Sequence, residues 1–364
     1  MNNARQNEDR RQAVHHQATN PAVRSGSSGG AAAMKAPAVS VFLTVLNEQA
    51  HLAAAIESVL GQDYSGHLEV VIALGPSSDQ TDAIARRFAA ADERIKLEVN
   101  PSGSIPEGLN TAWQAGTGGI LVRADGHTVF EPDYVTRCVA ALEATGAVVV
   151  GGLMVPEGTT AFEQAVARAM SSRVGIGAAS YHTGGQAGPA KSAYLGAYLR
   201  QPLAAVGGYD EAVKRGEDWE LCHRLIQAGG LVWFDPSLKV TYRPRSNWLA
   251  LVRQYHSTGR WRAEIMRRHP ETISARYLAP PLVTALVAGG LGIGLLGLAR
   301  RKPCAQAMSL PGNFILGETI AALLAGRGLE AKAKAWLPVV MATMHLAWGA
   351  SFIEGLVRSP GRDS

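Results

Sequence analysis

VSVFLTVLNE (Val39–Glu48) opens with seven residues that carry no charge and ends on the polar pair Asn47 and Glu48. A short apolar run of this kind, rich in β-branched residues and bounded by polar ones, is the pattern of a strand covered on both faces. The pattern recurs in LEVVIAL (Leu68–Leu74), IKLEV (Ile95–Val99) and GILVRA (Gly119–Ala124). Between the runs, apolar residues fall at helical spacing, as with Leu52, Ile56, Val59 and Leu60 in Glu48–Leu60; Thr81–Ala91 and Ile105–Gln114 read as helices too. Strands alternating with helices at this pitch predict βαβ units, and hence an α/β, Rossmann-like fold whose mostly parallel sheet carries helices on both faces.

Working outward, the chain has 364 residues, 47% hydrophobic and 18% charged, which excludes wholesale disorder. Its 40 glycines and 18 prolines follow no Gly-X-Y period. Cys138, Cys222 and Cys304 are too far apart for a zinc module or a disulfide framework. Residues 1–37 are polar, lack the apolar core of a signal peptide and read as a disordered tail. The α/β domain occupies 38–238, a basic amphipathic segment 239–277, an apolar region 278–356 and a short tail 357–364. Within the apolar region, Leu278–Ala299 and Ala335–Ile353 carry no Asp, Glu, Lys or Arg, and Ala305–Ala325 carries only Glu318. A helix of about 20 apolar residues crosses a hydrocarbon core, so three transmembrane spans are expected. Arg260, Arg262, Arg267, Arg268 and Arg276 precede the first span, which by the positive-inside rule places the α/β domain in the cytoplasm of a multi-pass cell-membrane protein. The net charge of +5 divides into +3 for the tail, −9 for the α/β domain, +7 for the amphipathic segment and +4 for the remainder. An acidic domain on a basic collar argues against nucleic acid as a partner and for membrane lipid.

In open parallel sheets ligands bind beyond the carboxyl ends of the strands. The residues there are polar: Thr44, Asn47 and Glu48 after the first run, GPSSDQT (Gly75–Thr81) with Asp79 after the second, and RADGHT (Arg123–Thr128) after the fourth. Each of these alone also suits a helix cap or a tight turn. Downstream, GEDWEL (Gly216–Leu221) sets Glu217, Asp218 and Glu220 at the start of a helix running to Ala228, where the helix dipole favours carboxylates whatever their role. The glycine-rich turn before them and Trp219 among them suit a pocket that holds one carboxylate as a base. Arg243–Pro270 reads as an interfacial helix with Trp248, Leu249, Leu251 and Trp261 against lipid, or as one wall of a site built from Gln254, Arg260 and Trp261.

In order, the motifs TVLNE, GPSSDQT, RADGHT, GGYDE, GEDWEL and RQYHSTGRW resemble the family 2 glycosyltransferases of the GT-A fold, in particular the membrane-bound bacterial enzymes of exopolysaccharide synthesis such as the succinoglycan glucosyltransferases. The resemblance covers about Val39–Pro270. It implies inverting transfer of a sugar from a nucleoside diphosphate sugar donor, here expected to be a UDP-sugar, to an acceptor hydroxyl, with Mg²⁺ or Mn²⁺ as cofactor. Asp125 matches the last acid of the DxD motif, which coordinates the metal on the donor phosphates. Asp218 matches the catalytic base. Thr44, Asn47, Glu48 and Asp79 match nucleotide-binding positions, and Gln254, Arg260 and Trp261 match the element that contacts diphosphate and acceptor.

The chain departs from that pattern in places. Leu74 and Gly75 stand where many members have two aspartates, and Arg123 replaces the first acid of DxD, suited to phosphate rather than metal. His127 is placed to be a second metal ligand, with a core or solvent-exposed histidine as the alternative. The Gln254-to-Arg260 spacing is longer than in processive synthases, which predicts addition of one hexose per acceptor. The basic aromatic segment beside the first span predicts a lipid-linked saccharide as acceptor, with Tyr181–Ala190 as a mobile loop on the acceptor side. The alternative, suggested by Arg123 and Leu74, is an inactive glycosyltransferase-like scaffold of a polysaccharide synthesis or export complex.

Overall fold

The computed structural model describes residues 36–177, 179–300 and 305–357. The expected tails at 1–37 and 357–364 lie outside them, apart from residues 36, 37 and 357. Nine strands form one sheet: β1 (Val39–Val45), β2 (Leu68–Leu74), β3 (Ile95–Val99), β4 (Ile120–Arg123), β5 (Val129–Phe130), β6 (Val149–Pro156), β7 (Gly188–Pro189), β8 (Ala197–Leu199) and β9 (Val232–Tyr242). Their order is β3-β2-β1-β4-β8-β6-β9-β5, with β7 on β9. The first four strands run parallel to one another, as expected from the sequence. β8 is antiparallel to both β4 and β6, while β6 and β9 are parallel, so the sheet is mixed but mostly parallel. Register fixes the rim of the site. β1 and β2 end level, Val45 opposite Leu74, whereas β4 ends opposite Phe42, so the chain after Arg123 begins below that rim.

The helices are α1 (Leu52–Leu60), α2 (Thr81–Ala91), α3 (Ile105–Ala115), α4 (Tyr134–Thr145), α5 (Ala161–Met170), the short α6 (Arg173–Ile176), α7 (Ser180–Thr183) and α8 (Arg200–Ala205), then α9 (Glu217–Gln227) and α10 (Trp248–Arg268). Alternate β1 residues feed two cores. Val39, Val41, Leu43 and Val45 pack with Leu52, Ile56 and Leu142 on one face, and Phe42 packs with Leu109, Leu203 and Leu221 on the other. Each such side chain contributes about 1.5–3 kcal/mol by leaving water. α1 starts at Leu52 rather than Glu48 because Asn47 adopts a left-handed φ of 57°, which turns the chain before helical hydrogen bonding begins. The expected loop at Tyr181–Ala190 is partly ordered: it holds most of α7, and its Gly188–Pro189 pairs with Phe234 and Trp233 of β9.

One acid in the sheet is structural. Glu69 on β2 is 2% exposed and accepts from Ser40 Oγ at 2.6 Å and Thr117 Oγ1 at 2.8 Å, with Lys96 Nζ at 2.6 Å. Burial acts to raise its pKa, but the hydrogen bonds from Lys96, Ser40 and Thr117 prevail and bring it down to about 2. A folded pKa below the unfolded one gives stability that is full above the unfolded value near 4.5 and is lost as pH falls toward 2. Glu69→Gln is therefore expected to lower stability by about 1–3 kcal/mol at neutral pH and to flatten the acid limb of the melting curve, measured by thermal unfolding from pH 7 to pH 3.

Three C-terminal helices, α11 (Ala275–Ala299), α12 (Ala305–Ala325) and α13 (Ala331–Val357), are long and apolar enough to cross a membrane. α11 and α12 point Leu282, Leu295, Leu298, Ile315 and Leu323 outward, each 61–71% exposed, an inside-out pattern suited to lipid. α13 also faces protein, since Leu337, Val340, Met341 and Met344 pack with Phe162, Ala165, Leu251 and Tyr255 from α5 and α10. A Cβ on Gly259 of α10 would come within 2.2 Å of the Trp348 carbonyl oxygen, so the two helices meet at backbone distance. This packing corrects the reading of α10 as lipid-facing on all four apolar residues. Trp248 and Leu249 are exposed, but Leu251 is buried beneath α13 and Trp261 turns toward α9.

Candidate active site

The first wall of the site is a lock between the loops after β1 and β2. Asn47 Oδ1 accepts from the Ser78 backbone N–H at 2.8 Å, and the Asn47 N–H donates to Ser77 Oγ at 3.1 Å. Glu48 N–H donates to Thr81 Oγ1 at 2.7 Å, Thr81 Oγ1 donates to Asp79 Oδ1 at 2.6 Å, and Asp79 Oδ2 accepts from the Gln49 N–H at 3.2 Å. The bond from Thr81 leads in holding the Asp79 carboxyl below its ordinary pKa. Thr44 lies under this lock, its Oγ1 accepting from Asn100 Nδ2 at 3.1 Å. Asn47, Glu48 and Asp79, matched to nucleotide binding, are thus part of one hydrogen-bonded network, while Thr44 is held separately by Asn100.

The floor comes from the loop after β4 and the first turn of α9. Arg123, only 5% exposed in its side chain, reaches Glu217 at 2.9 Å, Asp125 at 3.2 Å and Asp218 at 2.5 Å. Asp125 is fixed by a tight turn in which its own N–H donates to Thr128 Oγ1 at 3.0 Å and its carbonyl accepts from the Thr128 N–H at 2.9 Å. Asp218 Oδ1 also lies 3.4 Å from the Tyr198 hydroxyl and 3.5 Å from that of Tyr209. Burial raises the Asp218 pKa, and the Glu217 and Asp125 carboxylates add to this against the pull of Arg123, leaving it at about 7. Three carboxylates share a single guanidinium, so the floor carries excess negative charge made of hard oxygen donors.

His127 closes one end of the floor. Its Nδ1 lies 3.0 Å from Glu48 Oε1, and its ring meets Tyr242 edge-on at 6.5 Å. Burial disfavours the imidazolium, but the Glu48 hydrogen bond and the charge of Asp125 outweigh it and raise the pKa.

α10 lies across the site. Gln254 donates from Nε2 to the Tyr242 hydroxyl at 3.1 Å and accepts at Oε1 from Arg245 at 3.2 Å, which ties it to the His127 end. Trp261, seven residues and about 10 Å farther along the same helix face, meets Trp219 of α9 with ring centroids 6.5 Å apart. Its indole N–H is buried without a hydrogen-bond partner. Arg260 is half-buried beside it, its backbone approached by Gly355 of α13.

Gly216, the residue before α9, has a φ of 73°, and a Cβ there would lie 1.7 Å from the Trp261 ring. Gly216→Ala is expected to cost roughly 2–4 kcal/mol and to displace the helix that carries Asp218. Gly229, at a φ of 86° but with nothing within 4 Å, is the control: Gly229→Ala carries only the backbone cost. Thermal unfolding of the two variants reads the difference.

Sequence reasoning missed Tyr198, which sits on a three-residue strand with no motif around it. Tyr209 was visible only as part of GGYDE, and Glu217 only as a carboxylate at a helix start.

The sequence and the fold both match known proteins. A family model described as Glycosyl transferase family 2 matches residues 40–206. The succinoglycan biosynthesis protein ExoA of Rhizobium meliloti is 32% identical over 319 residues, covering 87% of this chain and 94% of that protein. This chain belongs to glycosyl transferase family 2. The fold of this glycosyltransferase is that of a Pyrobaculum calidifontis mannosyltransferase solved with GDP-Man and Mn²⁺, at a TM-score of 0.55 and 19% identity over 89% of this chain and 88% of that one. The expectation of a GT-A fold followed by apolar C-terminal helices is borne out, and the chain is related to a protein of exopolysaccharide biosynthesis.

Proposed function

We propose that this family 2 glycosyltransferase transfers one hexose, with inversion, from a nucleoside diphosphate sugar to a hydroxyl of a lipid-linked saccharide in exopolysaccharide or cell-envelope glycan synthesis, using Asp218 as the base. The observation that carries the reading is the state of Asp218. It is 18% exposed, so substrate can reach it, and its pKa is raised to about 7, where a base is most effective near neutral pH. Arg123 and the two tyrosines all contact Oδ1, which leaves Oδ2 for the acceptor. Asp218 takes the hydroxyl proton as that oxygen bonds to the anomeric carbon. The bond from that carbon to the diphosphate breaks on the opposite face, and its electron pair leaves with the nucleoside diphosphate. A single displacement of this kind needs one base and inverts the anomeric centre.

The excess of carboxylate on the floor fits a hard divalent cation. Asp125 and the Nε2 of His127 would hold Mg²⁺ or Mn²⁺, which supplies charge neutralisation to the departing diphosphate. Arg123 draws the three acids together and presents Asp218. Thr44, Asn47, Glu48 and Asp79 shape the nucleotide wall. Trp261, with its unpartnered buried N–H, offers a hydrogen bond to acceptor or phosphate oxygen. Arg260 and Gln254 stand beside the same path. The donor is taken to be a UDP-sugar; a thermal-shift panel of nucleoside diphosphate sugars with Mn²⁺ tests this, with the largest shift expected for the uridine series.

The acceptor follows from position. α10 joins the floor of the site to α11, and its basic face and exposed Trp248 and Leu249 suit a headgroup layer, with the α/β domain on the cytoplasmic side. Transfer to a lipid-linked saccharide is expected to exceed transfer to the same saccharide freed of lipid by at least about tenfold in kcat/KM. Equal turnover of the two contradicts the assignment. An inactive scaffold would turn over no nucleotide sugar with either acceptor.

A further inference from the structure

A second group of ligating side chains lies beside Trp219, outside the catalytic floor. His223, one helical turn after Trp219 on α9, stacks on its ring at 5.2 Å and 8°. His269, the residue after α10, meets the His223 ring at 4.8 Å. Glu271 sits in the single 3₁₀ turn Pro270–Thr272 that leads into α11. His223 Nε2 is 3.0 Å and His269 Nδ1 is 3.5 Å from the same oxygen, Glu271 Oε1, and the three ligand atoms lie within 4.8 Å of one another.

These distances suit a shared metal. In a tetrahedral zinc site with bonds of about 2.0–2.1 Å, ligand atoms are separated by about 3.3–3.4 Å. Two edges of the triangle bracket that value, and the third is no longer than 4.8 Å. Two imidazole nitrogens and one carboxylate favour Zn²⁺ over Mg²⁺, which prefers six oxygens.

The turn is already rigid. Arg262, buried between the rings of Trp219 and Tyr277, donates to the Thr272 carbonyl at 2.8 Å, and Thr272 Oγ1 donates to the His269 carbonyl at 2.7 Å. The nearby cation Arg268 is spent on Glu264 at 2.8 Å and Asp210 at 3.4 Å.

We propose that His223, His269 and Glu271 bind one Zn²⁺ ion, with a fourth position open to water. The ion clamps the helix that bears Asp218 to the turn where the chain enters its first apolar span. It takes the place of the two direct His–Glu contacts and holds the three side chains through one centre.

The test is zinc titration by calorimetry on the full chain in detergent, stripped on chelating resin, with metal content by mass spectrometry. The parent, Glu271→Gln, His223→Gln and Asp125→Ala are compared. Glu271 is 54% exposed, so its variant keeps the fold if His223→Gln does not. The expected result is one equivalent of Zn²⁺ bound by the parent and by Asp125→Ala, with affinity at least about tenfold weaker in Glu271→Gln. Equal affinity in the parent and Glu271→Gln overturns the site. So does loss of binding in Asp125→Ala with retention in Glu271→Gln, which would put the zinc on the catalytic floor.

Discussion

Asp218→Asn is expected to lower transfer by roughly 10²–10⁴-fold while leaving donor affinity within a few-fold of the parent. The amide keeps the size of the side chain and the Arg123 and tyrosine neighbours, but it does not accept the acceptor's proton. The fold raises the pKa of this carboxyl, so the native state disfavours its charged form, and the neutral variant is expected to melt no lower than the parent. Loss of activity without loss of stability separates a base from a structural acid. The same shift sets the pH profile. Only the ionised carboxylate accepts a proton, so the rate should rise with pH through about 7 and level off above it. Comparable turnover by parent and Asp218→Asn would remove Asp218 from the chemistry.

Arg123→Met is expected to be the most damaging single change for stability. It removes the guanidinium shared by Glu217, Asp125 and Asp218 and leaves three crowded carboxylates without that partner. Breaking a buried ion pair from one side costs about 3–5 kcal/mol. Part of this is regained because the acids protonate, which moves the acid limb of any remaining activity to higher pH. Arg123→Lys keeps one charge but loses the planar fork that serves three acids at once, so it should fall between parent and Arg123→Met in both melting temperature and rate. Thermal unfolding across pH 6–9 checks both. An Arg123→Met protein that melts with the parent would show that the cluster does not depend on this residue.

Much of the architecture could be read from single segments, and the site could be read only in part. β1 and β2 coincide with the apolar runs that predict them because they are buried along almost their whole length, and β3 coincides with its run although only Ile95 of it is buried. β5, β7 and β8 are two or three residues long, too short for any period, and exist only because a neighbouring strand offers a free edge. The antiparallel pairings, each of which includes one of these three strands, are therefore not legible in the sequence. Asp125 and Asp218 stand out as polar residues after a strand and at a helix start, but the arginine that joins them lies 95 positions from Asp218. In the sequence Arg123 looks like a lost metal ligand. In the fold it organises the floor. Amphipathic spacing says which side of a helix is apolar and not what covers it, so the interfacial reading of α10 set Leu251 against lipid and left Trp261 open between lipid and the site. α9 and α13 supply the cover, and neither is adjacent to α10 in the sequence.

The central claim is a single displacement at the anomeric carbon, driven by one base. It is tested most directly by the configuration of the product. The full chain, embedded in lipid and supplied with Mn²⁺, the α-linked nucleotide hexose it accepts and a lipid-linked saccharide, is followed by proton NMR of the new anomeric centre. A β-linked product in the parent and none in Asp218→Asn is the expected result. An α-linked product would mean two displacements or a front-face route and would contradict Asp218 as the sole base.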